Sequence, residues 1–286
     1  MALVGALVWV LCGRALRPVE AIRAEVADIS DRDLHRRVPE PGTNDEVGRL
    51  ARTMNAMLGR LEAGAVRQRR FVSDASHELQ SPLAAIRATL EVGKAHPEAA
   101  EWEGVIGDAL EESSRLQQLI EQLLTLARVD EGTLAPRMEL VDLDEVVIAE
   151  ARRMRQRAPR VSIDLHGVSA GQVRGDRAQL ARVVQNLLDN AERHASGNVG
   201  VVLATGNGRV TLSVLDDGNG IPAWERDRVF ERFTRLDEAR SSDDGGTGLG
   251  LAIVREIICA HDGTVEVADV ATGACLVVSL PAAAEG

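Results

Sequence analysis

The chain contains no tyrosine, only three phenylalanines and three tryptophans in 286 residues. So few rings leave no row of stacking platforms for single-stranded nucleic acid, and any core must be built from Leu, Val, Ala and Ile. Positive charge is also in deficit: 33 Lys and Arg face 44 Asp and Glu, for a net charge of -11. An acidic chain with a pI near 5.1 offers no extended basic footprint for DNA or RNA. No nucleic-acid partner is therefore expected. The three cysteines, Cys12, Cys259 and Cys275, are far apart, odd in number and without metal spacing. Neither a disulfide framework nor a cysteine metal site is expected.

The N-terminus also lacks something. ALVGALVWVLC at 2–12 is uncharged and apolar, but it falls short of the roughly twenty residues that cross a bilayer. No basic leader precedes it and no small-residue cleavage site follows, so a secretory signal does not fit. We read residues 1–16 as the inner end of a truncated transmembrane helix. Arg14 and Arg17 then lie on the cytoplasmic side. The expected location is the inner (plasma) membrane, with the catalytic part in the cytoplasm.

What is present is ordinary hydrophobic content, 45%, in patterned blocks. Val19, Ile22, Val26 and Ile29 recur at spacings of three and four, as do Val47, Leu50, Met54, Met57 and Leu61. That rhythm is a coiled-coil seam. Between the two, DRDLHRRVPEPGTNDE is polar and broken by Pro39, Pro41 and Gly42, a non-helical connector. Helices this short are unstable alone, so a parallel dimeric bundle is expected. The DRDL at 31–34 imitates a protein-kinase catalytic loop, but Arg36 stands where Asn is required and no glycine-rich loop precedes it.

From about 65 to 130 the pattern is helical again. Leu79, Leu83, Ile86 and Leu90 line one seam; Ala109, Leu116, Leu119, Leu123 and Leu126 line a second. Gly93 and Pro97 permit a turn between them, which makes an antiparallel hairpin. Two such hairpins would complete a four-helix bundle. Beyond about 135, strand-like runs at 160–167 and 199–205 and the hairpin ending in VTLSVL alternate with helices at 176–195 and 249–261. A final strand pair closes the chain. Interleaved helix and sheet predict an α/β two-layer sandwich.

Four constellations carry chemistry. His77 lies about 200° around its helix from Leu79 and about 180° from Ile86, so it faces away from the seam. Glu78 follows it, and Pro82 interrupts the helix one turn later, removing the donor for the Glu78 carbonyl. Asn186, Asn190 and Arg193 share one helical face beside the apolar row Leu180, Val184, Leu187 and Ala191. Amide oxygens one turn apart, followed by a cation, suit a magnesium polyphosphate. LDDGNGIP at 215–222 is a glycine turn directly after a strand, where Asp216 could accept from an exocyclic amine. DDGGTGLGLAIV at 243–254 runs glycines into a helix start, which favours an anion. It is not a Walker loop, since no Gly-Lys-Ser/Thr follows. The polar second half of FERFTRLDEARSSDD before it reads as a mobile lid.

None of these is decisive singly; their set and order are. FVSDASHELQSPLAAI resembles the H box of HisKA-type sensor histidine kinases. NLLDNAERHA resembles their N box, DDGNGIP the G1 box, VFERF the F box and GGTGLGLAIV the G2 box. Residues 17–62, with Arg17-Pro18 at the entry and Asp45-Glu46-Val47-Gly48 opening the second helix, resemble a HAMP linker. The resemblance implies a domain order: a HAMP linker at 17–64, a dimerisation and phosphotransfer hairpin at 65–134, and an ATP-binding domain of the GHKL (Bergerat) type at 135–283.

The resemblance also implies roles. His77 would be the phosphoacceptor, attacking ATP through Nε2, with Glu78 on the other ring nitrogen. Pro82 would help expose His77, and Ser81 would stand where a residue positions hydrolytic water. Asn190 would ligate Mg2+, with Asn186 and Arg193 near the phosphates and His194 stacking by the adenine. Asp216 would recognise adenine. Gly218, Gly220, Gly246, Thr247, Gly248, Leu249 and Gly250 would frame the pocket and lid. Two departures stand out: Gln80 replaces a usual Arg or Lys, and His194 a commoner Tyr. The implied protein is a homodimeric, membrane-attached kinase that passes its phosphoryl group to an aspartate of a separate response regulator. The alternatives are an ATP-binding regulator acting mainly as a phosphatase of that partner, and an ATPase of chaperone or mismatch-repair type.

Overall fold

The computed structural model describes residues 17, 19–25, 27, 33–40, 45–95, 102–130, 136–234 and 247–283, and single positions 1, 5 and 9. Contacts divide the chain into two compact units, Met1–Ser76 and His77–Gly286.

In the first unit, residues 19–25 are helical and 33–40 form a non-helical connector that opens with a turn at 34–35. Ile22, Val38 and Ala51 are buried together, with Val47, Met54 and Leu58 packed on them. The connector is held by one amide: Val38 N–H donates to Asn55 Oδ1 at 2.9 Å, and Asn55 Nδ2 donates to the Val38 carbonyl at 3.1 Å. Ion pairs Arg36–Glu25 and Arg37–Glu62 flank it. The expected seam is half fulfilled within one chain, since Leu50, Met57 and Leu61 remain exposed. Val26 and Ile29 lie outside the described residues.

The helix α1, Glu46–Ala95, runs 50 residues without a break. The sequence pattern suggests two helices here, because its seam is interrupted between Leu61 and Leu79. Asp45 starts the helix by accepting from Gly48 N–H at 3.0 Å. Pro82 sits inside it, with its ring buried. The helix survives because a proline removes one hydrogen bond, whereas some tens of others remain.

In the second unit, α2 spans Trp102–Asp130 and its start meets the end of α1. Gly93 lies so close to Val105 and Trp102 that a Cβ there would come within 3.2 Å of Val105 Cγ1. A two-stranded ladder pairs β1 (Glu139–Asp142) with β3 (Gln172–Gly175). A five-stranded sheet runs in the order β2 (Ser162–Val168), β4 (Asn198–Gly206), β5 (Arg209–Asp216), β7 (Cys275–Pro281), β6 (Thr264–Ala268). Only β2 and β4 are parallel; the rest alternate. The β4–β5 loop is Asn207-Gly208, both at positive φ, the two-residue turn whose twist matches paired strands.

Three helices, α3 (Leu143–Arg157), α4 (Arg177–His194) and α5 (Gly250–Ala260), cover the sheet. Leu180, Val184, Leu187 and Ala191 of α4 and Ile253 and Ile257 of α5 are buried with the sheet residues Leu203, Leu212 and Leu276. The two-layer sandwich of the sequence reading is the fold observed. Each buried aliphatic side chain contributes about 1.5–3 kcal/mol of transfer free energy, and Phe230 is buried among them.

Candidate nucleotide cleft and phosphoacceptor helix

Strand alternation places the first functional group. Val210, Leu212 and Val214 of β5 point into the core, so period two turns Asp216 inward as well. It is buried, and its Oδ1 accepts from Gly218 N–H at 3.0 Å and Ala274 N–H at 3.2 Å. The turn that follows is packed too tightly for side chains. A Cβ on Gly218 would lie 2.0 Å from the His194 carbonyl oxygen, and one on Gly273 would lie 1.7 Å from that of Asp216. Gly220 adopts φ +78 against Gly273. Gly273, far along the chain, carries no sign of this role in its sequence neighbourhood; neither does Ala274.

Asp217 points the other way and ties the turn to the end of α4. Its carboxylate accepts from the backbone N–H groups of Ser196, Gly197 and Asn198 and from the Asn198 amide. The Asn198 side chain is the largest cause, followed by these backbone donors, and together they lower its pKa from 3.8 to about 2. The sequence reading assigns Asp217 no role.

Helix α4 supplies the facing wall. Asn186 Nδ2 is buried with no hydrogen-bond partner among the described residues, an arrangement that proteins rarely leave unsatisfied. Asn190 and Arg193 lie one and two turns further on. His194 is held in its neutral form chiefly by burial and then by Arg193, with Asp216 opposing. Gly250, opening α5, approaches Asn186 so closely that a Cβ would lie 3.2 Å from its Oδ1. Gly248, at φ +66, packs on the backbone of Phe233, and Phe233 N–H donates to the Gly248 carbonyl at 2.9 Å. Leu249 is fully buried. Gly246 and the polar second half of FERFTRLDEARSSDD, the expected lid, lie outside the described residues. The structure thus brings together Asn186 of α4 and Gly250 of α5, and ties Asp216, Gly218, Gly220 and His194 into one turn. A separate cavity of about 540 Å³ between α3, α4 and β1, bordered by Arg137, Glu150, Arg153 and Arg177, includes none of these residues.

On α1, His77 is exposed and makes no hydrogen bond or ion pair with a described residue. Glu78 beside it is half-buried, and Ser81, one turn on, is exposed. An unencumbered imidazole is a competent nucleophile, and a cleft of amides, glycine backbone and one buried carboxylate suits a polyanion carrying an aminated ring.

Three family models match the chain in succession. Residues 12–63 match the HAMP domain and 67–132 the His Kinase A (phospho-acceptor) domain. Residues 175–284 match the histidine kinase-, DNA gyrase B- and HSP90-like ATPase. The chain belongs to the sensor histidine kinases. It is 38% identical over 281 residues to the probable sensor histidine kinase TcrY of Mycobacterium tuberculosis, covering 90% of this chain and 58% of that protein. It is 36% identical to the sensor protein CutS of Streptomyces coelicolor, covering 89% of this chain and 62% of that one. The chain therefore spans about three fifths of the length of these curated relatives. The solved structure of the Acinetobacter baumannii histidine kinase AdeS superposes with a TM-score of 0.59 at 26% identity, covering 72% of this chain and 97% of that one.

Proposed function

We propose that the protein is a two-component sensor kinase that transfers the γ-phosphoryl group of ATP to His77 and then to an aspartate of a separate response regulator. One observation carries this reading. A solvent-facing imidazole without a partner and a cleft with an unsatisfied buried amide occur in the same compact unit. His77 Nε2 would attack phosphorus as the bond to the leaving diphosphate oxygen breaks, and Glu78 would accept the N–H of the other ring nitrogen. Asp216, whose Oδ1 is anchored by two backbone donors, is held where its second oxygen can take an adenine amine. Asn186 Nδ2 would find its missing acceptor in a phosphate oxygen, with Arg193 adding charge.

Mg2+ fits this donor set through Asn190. Among the described residues no cluster of His, Cys, Asp or Glu could hold a metal alone, and a magnesium ion held by an amide and substrate phosphates needs none. The ion would neutralise charge on the transferred group. The order of the three modules supports the domain division at 17–64, 65–134 and 135–283. Among the described residues no helix is long and apolar enough to cross a membrane. Most of the 2–12 run lies outside them, and the HAMP match supports attachment to the inner membrane, with the catalytic part cytoplasmic. Gln80 is exposed and is the only support for a phosphatase-dominated protein, an alternative that the module order does not favour.

With labelled ATP and magnesium, the chain should acquire acid-labile, base-stable phosphate. His77→Gln should lose all of it and still bind nucleotide. Label persisting in that variant, or absent from a nucleotide-bound wild type, would overturn the reading.

A further inference from the structure

Helices α3 and α4 run in the same direction, and two ion pairs fix how they face each other. Glu145 near the start of α3 meets Arg177 at the start of α4, and Arg157 at the end of α3 meets Asp189. Both spans are twelve residues, about 18 Å of helix. On α3 the stripe between the pairs runs Glu145, Ala149, Arg153, Arg157; on α4 it runs Arg177, Ala181, Gln185, Asp189. The second rung therefore sets alanine against alanine. Packed helices fill each other's grooves with side chains, and two methyl groups cannot fill this one. The cavity of about 540 Å³ is the space that remains, within the range of sites that enclose a small molecule.

Its lining combines both signs of charge with an apolar strip of Val146, Ala149, Ala178 and Ala181. Glu150 lines it and is only 6% exposed. A carboxylate so removed from water needs a cation. Arg153 supplies it at 2.6 Å, yet the arginine side chain is itself 71% exposed. Such a guanidinium can leave the acid at little cost, because water already surrounds it. Arg137 and Glu139 also border the cavity and make no side-chain hydrogen bond or ion pair with a described residue. Asp176, by contrast, is spent on the backbone N–H groups of Ala178, Gln179 and Arg137.

We infer that this cavity is a binding site for a small zwitterion with an aliphatic body, a free aliphatic amino acid. The ligand ammonium takes Glu150, and Arg153, released from that acid, turns onto the ligand carboxylate beside Arg137. Glu150 and Arg153 are 2.6 Å apart, a spacing that suits an ammonium and a carboxylate borne on one carbon. The ligand side chain lies on Val146 and the alanines. A plain anion or a plain cation suits the site less, since three arginines and three acids border it and either would meet its own sign. The site shares helix α4 with the nucleotide cleft but none of the cleft residues, and it does not depend on the kinase reading.

The test is equilibrium dialysis of the full chain against labelled L-leucine, chosen for its aliphatic body. Saturable binding with a Kd below about 1 mM is expected. 4-Methylpentanoate lacks the amine and leucinamide lacks the carboxylate; each should compete about tenfold more weakly or worse, the weight of one charged hydrogen bond. Ala149→Leu fills the cavity from an exposed position and should abolish leucine binding, while a fluorescent ATP analogue still binds. Glu150→Gln should weaken leucine by about tenfold or more. If that buried change unfolds the domain, Ala149→Leu and the exposed Arg137→Gln, which should also weaken leucine, carry the test. The inference is overturned by no saturable binding, by either analogue competing as well as leucine, by undiminished binding in folded Ala149→Leu, or by displacement of leucine by ATP.

Discussion

Asp216 and Asp217 are adjacent and chemically identical, yet the fold gives them separate tasks. The first was singled out by the glycine turn it opens, and the burial of Val210, Leu212 and Val214 shows the parity that turns it inward. The role of Asp217 was not legible, because its donors at 196–198 become neighbours only when α4 and β4 meet the end of β5. Its pKa of about 2 against an ordinary 3.8 has a definite sign. A carboxyl whose folded pKa is depressed contributes stability that is fully present above about 3.8 and lost as pH falls through about 2. Asp217→Asn should therefore lower stability at neutral pH and flatten the acid limb between these values. Urea melts at pH 2 to 6 would show this; parallel wild-type and variant curves would refute it.

Helix α4 carries most of the cleft, and its start is built with care. Asp176 accepts from the N–H groups of Ala178 and Gln179 through one oxygen, an N-cap the helix ends require. The backbone N–H of Asp176 in turn donates to Nε2 of buried His261, whose Nδ1–H donates to the Ile257 carbonyl at 2.8 Å. Gly175 is small because a Cβ there would lie 2.6 Å from the His261 ring. The N-terminus of α4 is thus locked to the C-terminus of α5. Asp176→Ala should destabilise the nucleotide domain by about 1–2 kcal/mol, read by chemical denaturation; a change below a few tenths would show that the cap is dispensable. The helix at 176–195 was legible in the sequence, whereas neither its cap at Asp176 nor the partner of His261 was read there. The lone long helix α1 shows the reverse: its two patterns looked like two helices, but nothing between them stops the backbone from continuing.

One chain leaves Leu83 and Leu90 of α1 and Ile106 and Leu110 of α2 exposed, Leu110 by 63%. Apolar rows of this kind mark an interaction face, and a second copy is the partner expected of the proposed kinase. Leu83→Lys with Leu110→Lys should convert the dimer to monomer by sedimentation, with nucleotide binding retained; a dimer that persists would place the interface elsewhere. The modules, their order, the exposed His77 and the paired asparagines could all be read along the chain. They depend on period, spacing and local turn chemistry, which are properties of neighbouring residues. Gly273 against Asp216, His261 beneath Gly175, and Thr247 bonded to Gln122 could not. Each joins positions tens of residues apart or more, and such a meeting exists only once packing has chosen which surfaces touch.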